Sequence, residues 1–324
     1  GEEFNPIPHE LNARVGKLGV LITIGKDARK DENFDSLCRN QPDHVPAMEV
    51  ITQDESFIIY TSGTTGRPRG VVVTHANNFF NTLNYSSAYQ MKESDVELAL
   101  TPMFHSSTLG RVVTYVFNGV TFITSRRFDP RKAMRFISKY RVTSITQSPT
   151  MYAALLNLNN GDTYSCGSVR RIVSGAAPLF PAIRNRLAQR FPHAGIYDLY
   201  GLTEASPGVS ILTPDDPPEK ITSVGRPMKH VTVKIVDHEG NELSPGENGE
   251  IVCKGPNLMK GYYGDLPATQ EVLRDGWLYT GDTGKMDQDG YLYLTGRKKE
   301  LIVRGGENIY PAEVESVLHQ HSGI

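Results

Sequence analysis

The strongest constraint on the fold is an alternation of helical and strand patterns between residues 133 and 200. Apolar residues recur there at helical spacing, and these runs alternate with short apolar stretches of strand length. The helical runs are Ala133, Ile137 and Tyr140, then Leu179, Ile183 and Leu187, and the predicted strands are residues 143–146, 171–173 and 196–200. This order is typical of a mostly parallel sheet covered by helices.

After about Pro207 the pattern changes to short strands separated by turn signals. Val231, Val233 and Ile235 alternate with polar residues, and glycine-containing turns divide the later apolar stretches. Such spacing favours an antiparallel, barrel-like region. The sequence therefore predicts an α/β fold, α+β overall, in which a layered αβ core with a mostly parallel sheet precedes an antiparallel barrel-like region.

Composition excludes several classes of partner. The 324 residues carry 34 Lys and Arg against 36 Asp and Glu, a net charge of −2, so neither nucleic acid nor an anionic membrane is expected as a partner. No apolar run approaches the ~18 residues that a membrane helix needs, so no transmembrane segment is predicted. Cys38, Cys166 and Cys253 lack metal-ligand spacing and favour a reducing compartment, from which we expect a cytoplasmic location.

A glycine- and hydroxyl-rich loop lies between two predicted strands. Residues Tyr60–Gly70 read YTSGTTGRPRG and contain three glycines, four small hydroxyls and two arginines. Glycines allow backbone N–H groups to converge on phosphate oxygens, hydroxyls add donors, and arginines add charge. The segment is not a Walker loop, because no glycine is followed at the required spacing by Gly-Lys-Ser/Thr. It predicts a loop that wraps a polyphosphate.

The same segment resembles the phosphate-loop motif of the adenylate-forming, or AMP-binding, superfamily. That superfamily includes acyl-CoA synthetases, peptide-synthetase adenylation domains and beetle luciferases. Arg69 stands where the family usually has Lys, so the charge is kept but a planar fork replaces a point charge. The loop residues that the resemblance assigns to the nucleotide are Thr61, Ser62, Gly63, Thr64, Thr65, Gly66 and Arg69.

Residues Asp198–Glu204 read DLYGLTE and resemble the family's central motif. The resemblance implies that Tyr200 stacks on adenine, that Asp198 faces its amino group, that Thr203 bonds the α-phosphate and that Glu204 holds Mg²⁺. An aromatic face suits a purine, and one carboxylate with phosphate oxygens is a common Mg²⁺ site. Residues 174–179, SGAAPL, resemble the segment that borders the adenine and the acyl tunnel. These motifs add Gly175, Ala176, Ala177, Leu199 and Gly201 to the expected nucleotide-binding residues.

Two further motifs follow in the family's order. In WLYTGD, Asp282 is expected to accept hydrogen bonds from the ribose hydroxyls, and in LTGRKKE, Arg297 is expected to contact ribose and phosphate. Lys299 matches the hinge of a small lid domain, although a solvated basic run is an equal alternative. His105 resembles an element at the mouth of the acyl pocket. With Thr203 and Glu204 it is a catalytic candidate. The alternative is that this histidine has a purely structural role.

The resemblance also implies the domain organisation. Residues 1–298 form a large core domain that binds nucleotide and acyl group, and residues 1–55 are its shortened leading segment, with a short predicted strand at residues 18–24. Residues 299–324, which include GGENIYPAE, begin the small C-terminal lid domain. The chain starts without Met and stops soon after a predicted helix begins at Pro311, so we expect it to be truncated at both ends.

The chemistry expected of such a site needs no general base. A carboxylic acid is already ionised near neutral pH, since carboxyl pKa values lie near about 4. Its oxygen attacks the α-phosphorus of ATP and releases pyrophosphate, so catalysis consists of positioning and charge stabilisation. By resemblance, a CoA thiol then attacks the acyl-adenylate. The expected cofactors are ATP and Mg²⁺, with CoA as co-substrate, and the activity is that of an acid-thiol ligase.

The substrate is expected to be a small-molecule carboxylate, either a fatty or an aryl acid. Amino-acid-activating relatives usually place Asp where this chain has His105, and a buried ammonium without a partner carboxylate is costly. Two alternatives stay open: an adenylation domain that loads a carrier protein, and a nucleotide-binding fragment with little or no turnover.

We predict that this chain binds ATP but forms the adenylate slowly. The family's lid carries a lysine that stabilises the adenylation transition state, and its motif lies downstream of residue 324. Loss of one such donor lowers the rate by about 10²–10³. Pyrophosphate exchange, compared between this chain and a version extended through the lid, measures the difference, and equal rates would contradict the prediction.

Overall fold

A computed structural model of the chain describes residues 14, 22, 24, 33–39, 41–45, 47–61, 68–158, 164–300, 302–304, 307–309, 314 and 318. The chain divides into two compact units, residues 1–50 and 51–324. In the first unit a five-residue helix, α1 (Phe34–Cys38), begins where the side chain of Asn33 accepts a hydrogen bond from the backbone N–H of Ser36. Most of the predicted strand at residues 18–24 lies outside the described residues.

Six helices and seventeen strands are described in the second unit. The helices are α2 (His75–Tyr89), α3 (Ser106–Phe117), α4 (Pro130–Lys139), α5 (Pro149–Leu156), α6 (Pro181–Arg190) and α7 (Leu266–Val272). The strands are β1 (Glu55–Thr61), β2 (Arg69–Thr74), β3 (Val96–Ala99), β4 (Thr121–Ile123), β5 (Ser144–Gln147), β6 (Arg171–Gly175), β7 (Gly195–Gly201), β8 (Gly208–Leu212), β9 (Arg226–Pro227), β10 (Thr232–Val236), β11 (Gly249–Lys254), β12 (Gly261–Tyr262), β13 (Leu273–Arg274), β14 (Trp277–Met286), β15 (Leu292–Arg297), β16 (Ile302–Arg304) and β17 (Glu307–Ile309).

Prolines and small polar residues begin several of these helices. Pro130, Pro149 and Pro181 each occupy the first turn, where a missing N–H is harmless. Asp129 and Ser148 cap α4 and α5 by accepting backbone N–H groups. The helix predicted at Leu179 therefore starts later, at Pro181, because the proline favours the first turn.

The predicted mostly parallel sheet is confirmed as a seven-stranded sheet in the order β4-β3-β5-β6-β7-β8-β9. The first five strands are parallel, and β8 and β9 are antiparallel. The change of pattern expected after Pro207 thus comes later, because β8 still extends this sheet. The chain reverses between β7 and β8 through a short 3₁₀ turn at Thr203–Ala205, so the returning strand pairs with its predecessor.

The predicted antiparallel region is also confirmed. One sheet runs β10-β11-β14-β13, with β15 on β14, and a smaller sheet runs β1-β2-β12. The two strands that flank the glycine-rich loop therefore join the antiparallel region rather than the parallel sheet. The physical reason is loop length: parallel neighbours need a crossover of a dozen or more residues, whereas antiparallel strands join through a short hairpin.

Two hydrophobic clusters hold these layers together. In one, Leu98 and Ile145 of the parallel sheet pack against Ile137 and Leu187 of the covering helices. In the other, Val71 of β2 belongs to the same cluster as residues of α2, β8 and the five-stranded sheet. None of the helices in the described part of the chain combines the length and hydropathy that crossing a bilayer requires.

A buried ion pair closes the end of the parallel sheet at which β3 and β6 begin. The side chain of Asp95 is fully buried and accepts hydrogen bonds from Arg171 Nη2 at 3.0 Å, Thr143 Oγ1 at 3.0 Å and the guanidinium of Arg170. Burial alone would raise the pKa of Asp95, but the hydrogen bond from the backbone of Lys92 and the charge of Arg171 outweigh it and lower that pKa.

We predict that Asp95→Asn lowers the free energy of unfolding by about 3 kcal/mol, because it leaves buried arginine charge without a counter-charge. Because the folded-state pKa of Asp95 is depressed, its contribution is present above the ordinary carboxyl pKa and is lost as pH falls through the folded value. Urea denaturation at neutral pH measures the effect, with the exposed Asp215→Asn as the matched control. Equal stability of the two variants would contradict the prediction.

Candidate active site

The carboxyl ends of β5, β6 and β7 lie side by side at one edge of the parallel sheet. Gln147, Ser174 and Asp198 are aligned there in neighbouring registers, and Gly175 is aligned with Leu199. In open α/β sheets, ligands bind beyond this edge. The structure thus places two separate predicted motifs, SGAAPL and DLYGLTE, next to each other.

The backbone at this edge has two special positions. Ala176 has a φ of 68°, in the left-handed region that a residue with a Cβ rarely adopts. A Cβ on Gly201 would collide with the carbonyl oxygen of Pro207, so the reversal after β7 requires glycine. Ala177 follows Ala176 in the segment that connects β6 to α6.

Thr203 and Glu204 lie in the 3₁₀ turn that follows β7. Thr203 Oγ1 is 3.0 Å from Ser106 Oγ at the start of α3. The hydroxyl of Tyr262 donates a hydrogen bond of 2.9 Å to Glu204 Oε1. Both residues of the turn are half-buried, which suits side chains that bind a ligand at the surface of a cleft.

Arg69 joins this group from the other side. It is the first residue of β2, aligned with Thr61 at the end of β1, so the two residues flank the glycine-rich loop. Its guanidinium lies 5.1 Å from the ring centroid of Tyr262 and 3.9 Å from Glu271 Oε2. Arg69 and Glu204 therefore both contact the side chain of Tyr262. Loop residues Ser62, Gly63, Thr64, Thr65 and Gly66 lie outside the described residues.

A second group connects β7 to the antiparallel sheet. The hydroxyl of Tyr200 donates to Asp282 Oδ2 at 2.8 Å, and Arg297 Nε lies 3.4 Å from Asp282 Oδ1. Asp282 and Arg297 are aligned across β14 and β15. Burial raises the pKa of Asp282, opposed by the hydrogen bond from Tyr200 and the charge of Arg297. Three residues from three predicted motifs are thus brought together.

Asp198 is buried behind this edge. Burial raises the pKa of its carboxyl to about 7, and the charge of Arg184 on α6 only partly opposes the shift. Arg184 is itself almost fully buried.

His105 caps a helix. Its Nδ1 accepts a hydrogen bond of 3.2 Å from the backbone N–H of Ser107 and lies 2.7 Å from Ser107 Oγ, so it begins α3. Loss of solvent around the ring and the charge of Arg111 lower the pKa of His105, which favours the neutral form that can accept these bonds. This geometry favours the structural alternative for His105.

Lys299 lies exposed in the 3₁₀ turn Lys298–Glu300 that follows β15. The neighbouring Lys298 forms an ion pair of 2.7 Å with Glu250 Oε2. The hinge role of Lys299 stays a prediction.

A segment that the sequence reasoning missed connects the elements of the site. We call residues 257–262 the bridging segment. Asn257 Nδ2 donates to the carbonyl oxygens of Ala205 at 2.7 Å and Gly208 at 2.9 Å, and the backbone N–H of Met259 donates to the carbonyl of Glu204 at 2.8 Å. The backbone N–H of Lys260 donates to the carbonyl of Val72 at 2.9 Å.

The bridging segment therefore holds both the turn that carries Glu204 and the strand that follows the glycine-rich loop. Its sequence context, GPNLMKGYY, offered one signal: a proline and two glycines within nine residues indicate an irregular turn rather than a strand. That signal predicts backbone shape, but it says nothing about which distant groups the turn contacts.

The family follows from comparison with known proteins. A family model described as AMP-binding enzyme matches residues 5–263, well over half of the chain. The chain belongs to the AMP-binding enzyme family. The family expected from the sequence motifs is therefore confirmed.

Individual AMP-binding enzymes are similar over most of this chain. A feruloyl-CoA synthase from Amycolatopsis sp. is 40% identical over 285 residues, 87% of this chain and 57% of the relative. The structure of O-succinylbenzoate coenzyme A synthetase from Bacillus subtilis in complex with ATP and magnesium ion has a TM-score of 0.78 at 35% identity and covers 88% of this chain and 59% of that one. The same enzyme in complex with its acyl-adenylate intermediate has a TM-score of 0.82 at 32% identity and covers 96% and 65%. The chain spans less than two thirds of the length of the curated relatives it matches.

We predict that Asn257→Ala lowers the free energy of unfolding by about 2 kcal/mol. Asn257 is 0% exposed, and its removal leaves the buried carbonyls of Ala205 and Gly208 without a donor, which costs about 1–3 kcal/mol. Urea denaturation measures the change. The exposed Asn241→Ala, which removes a surface amide, serves as the matched control, and a loss no greater than that of the control would show that Asn257 does not hold the turn.

Proposed function

We propose that this AMP-binding enzyme activates a small carboxylic acid with ATP, releases pyrophosphate and transfers the acyl group from the adenylate to CoA. The observation that carries the proposal is that Arg69 and Glu204 both contact Tyr262. A cation from the strand after the glycine-rich loop and a carboxylate from the turn after β7 thus contact the same side chain. Such a pair suits a ligand that carries both phosphate and a divalent cation.

The phosphate end of ATP is assigned to three parts of the chain. Arg69 supplies charge, Thr203 supplies a hydroxyl next to Ser106, and the glycine-rich loop, residues 62–66, supplies backbone N–H groups. Positioning of this kind contributes most of the rate in phosphoryl chemistry. The attacking carboxylate oxygen forms a bond to the α-phosphorus while the bond to the pyrophosphate oxygen breaks, and Arg69 stabilises the charge that develops on pyrophosphate.

The residues present fit a Mg²⁺ ion. Within the described ranges no three His, Cys, Asp or Glu side chains form a group, so the protein offers no cage of its own ligands there. Mg²⁺ is usually bound through one or two carboxylates together with substrate phosphates. Glu204 supplies such a single carboxylate and would hold the ion, which when bound neutralises phosphate charge. ATP would bring the remaining ligands.

The nucleoside end of ATP is assigned to the second group. Asp282 accepts hydrogen bonds from the ribose hydroxyls, while Arg297, 3.4 Å from that carboxylate, adds charge toward the phosphate. Tyr200 of β7 bonds to Asp282 and offers the aromatic wall for adenine, and Asp198 lies two residues before it on the same strand. Gly175, Ala176 and Ala177, at the end of the neighbouring strand β6, would border the adenine on its other side.

We propose an aryl acid as the substrate, on the basis of the names of similar proteins. Two of the similar proteins are named for ferulate and for O-succinylbenzoate, both aryl acids, and both are named as CoA ligases. Their names support free CoA rather than a carrier protein as the thiol.

We also propose the division into a core domain, residues 1–298, and a lid that begins at residue 299. Cys38, Cys166 and Cys253 are unpaired thiols, which supports a cytoplasmic location.

We predict that pyrophosphate release from ATP depends on an aryl carboxylate. A panel of ferulate, 2-succinylbenzoate, palmitate and phenylalanine is expected to give release with the aryl acids and none with phenylalanine, because no carboxylate at position 105 pairs with its ammonium. Release is measured by a coupled pyrophosphate assay on the version extended through the lid, because this chain is expected to form the adenylate slowly.

Glu204→Gln is expected to reduce the release to background, and the exposed Glu239→Gln is the matched control. Release that is independent of every acid, or that survives in Glu204→Gln, would contradict the proposed function.

A further inference from the structure

We infer that Tyr262 is a positioning residue for the metal-bound nucleotide, because it orients Glu204 and holds Arg69 apart from it. The inference rests on the proposed function, since it concerns how the chain prepares two side chains for ATP and its cation. It adds a residue that none of the nucleotide motifs contains.

The first contact orients the carboxylate. The Tyr262 hydroxyl donates a hydrogen bond of 2.9 Å to Glu204 Oε1. One carboxylate oxygen is therefore occupied by a neutral donor, and Oε2 is left for a ligand. Partners of this kind, which bond a metal ligand without touching the metal, fix the ligand's orientation.

The second contact positions the cation. The Arg69 guanidinium lies over the Tyr262 ring, 5.1 Å from its centroid, an arrangement in which the ring face attracts the charge. Arg69 and Glu204 are not paired with each other: the carboxylate near Arg69 is Glu271, at 3.9 Å and 67% exposed. A direct pair between Arg69 and Glu204 would neutralise both. The tyrosine contacts both of them, so neither charge is neutralised by the other.

The backbone fixes where the tyrosine ring lies. Gly261 and Tyr262 pair with Val72 and Val71 of β2, and the backbone N–H of Tyr262 donates to Thr269 Oγ1 at 2.8 Å. Gly261 has a φ of 152°, and a Cβ there would lie 2.8 Å from Thr269 Cγ2, so only glycine permits this approach. The strand that follows the glycine-rich loop therefore sets the ring's position.

The test compares ATP binding with and without Mg²⁺ by isothermal titration calorimetry on this chain. In Tyr262→Phe the ring stays under Arg69 but the hydroxyl is lost. We expect the gain in ATP affinity on adding Mg²⁺ to fall about tenfold, while affinity in EDTA stays within about twofold of the wild type. Tyr263→Phe, the same chemical change at the next residue, whose side chain is 61% exposed, is expected to leave both affinities unchanged.

A second variant separates the two contacts. Tyr262→Leu removes the ring as well as the hydroxyl, so affinity in EDTA is also expected to fall, by about two- to fivefold, because Arg69 loses the surface that holds it. A role limited to packing would lower the two affinities together in both variants and leave the gain from Mg²⁺ intact.

The outcomes distinguish the inference from the proposed function. A wild-type chain whose ATP binding does not respond to Mg²⁺ would overturn both. A wild type that responds, beside a Tyr262→Phe variant that responds equally, would overturn the inference alone.

Discussion

The hydrogen bonds that the bridging segment makes to the turn after β7 are the contacts on which the rest of the site depends. Asn257 and the backbone of Met259 bind consecutive carbonyls of residues 204 and 205, and Lys260 binds the strand on the other side. Because unpaired buried carbonyls are costly, these hydrogen bonds fix the position of the turn after β7 relative to β2. The site is therefore built between two sheets, and neither sheet could form it alone.

Each of the two carboxylates, Glu204 and Asp282, accepts a hydrogen bond from a tyrosine that lies near an arginine. Arg69 and Glu204 are each held by Tyr262, and Arg297 and Asp282 meet where the hydroxyl of Tyr200 takes the second carboxylate oxygen. In both groups a phenol donates to a carboxylate, but Arg297 pairs with that carboxylate directly, whereas Arg69 lies over the ring of the phenol. A neutral donor restrains the carboxylate without adding charge, so the arginine remains able to attract phosphate. The same solution thus serves the two ends of the nucleotide that we propose.

Much of the fold follows from sequence patterns, and the failures have specific causes. The alternation between Ala133 and Tyr200 predicts the parallel sheet because period and order are local properties. β1 and β2 could not be placed, since an apolar run does not reveal its pairing partner. The ring of His105 caps α3, a contact that the motif did not predict because it depends on the backbone direction at the helix start, and the catalytic role of His105 stays a prediction.

The sequence by itself determined the family, the order of the motifs and the residue types available for chemistry, because these depend only on identity and spacing along the chain. Tertiary structure decided which of those residues meet. Tyr262 reaches Glu204 across 58 positions, and Asn257 reaches Ala205 across 52. Such contacts depend on strand register and on turns that only a packed core holds in place, and no local pattern records either.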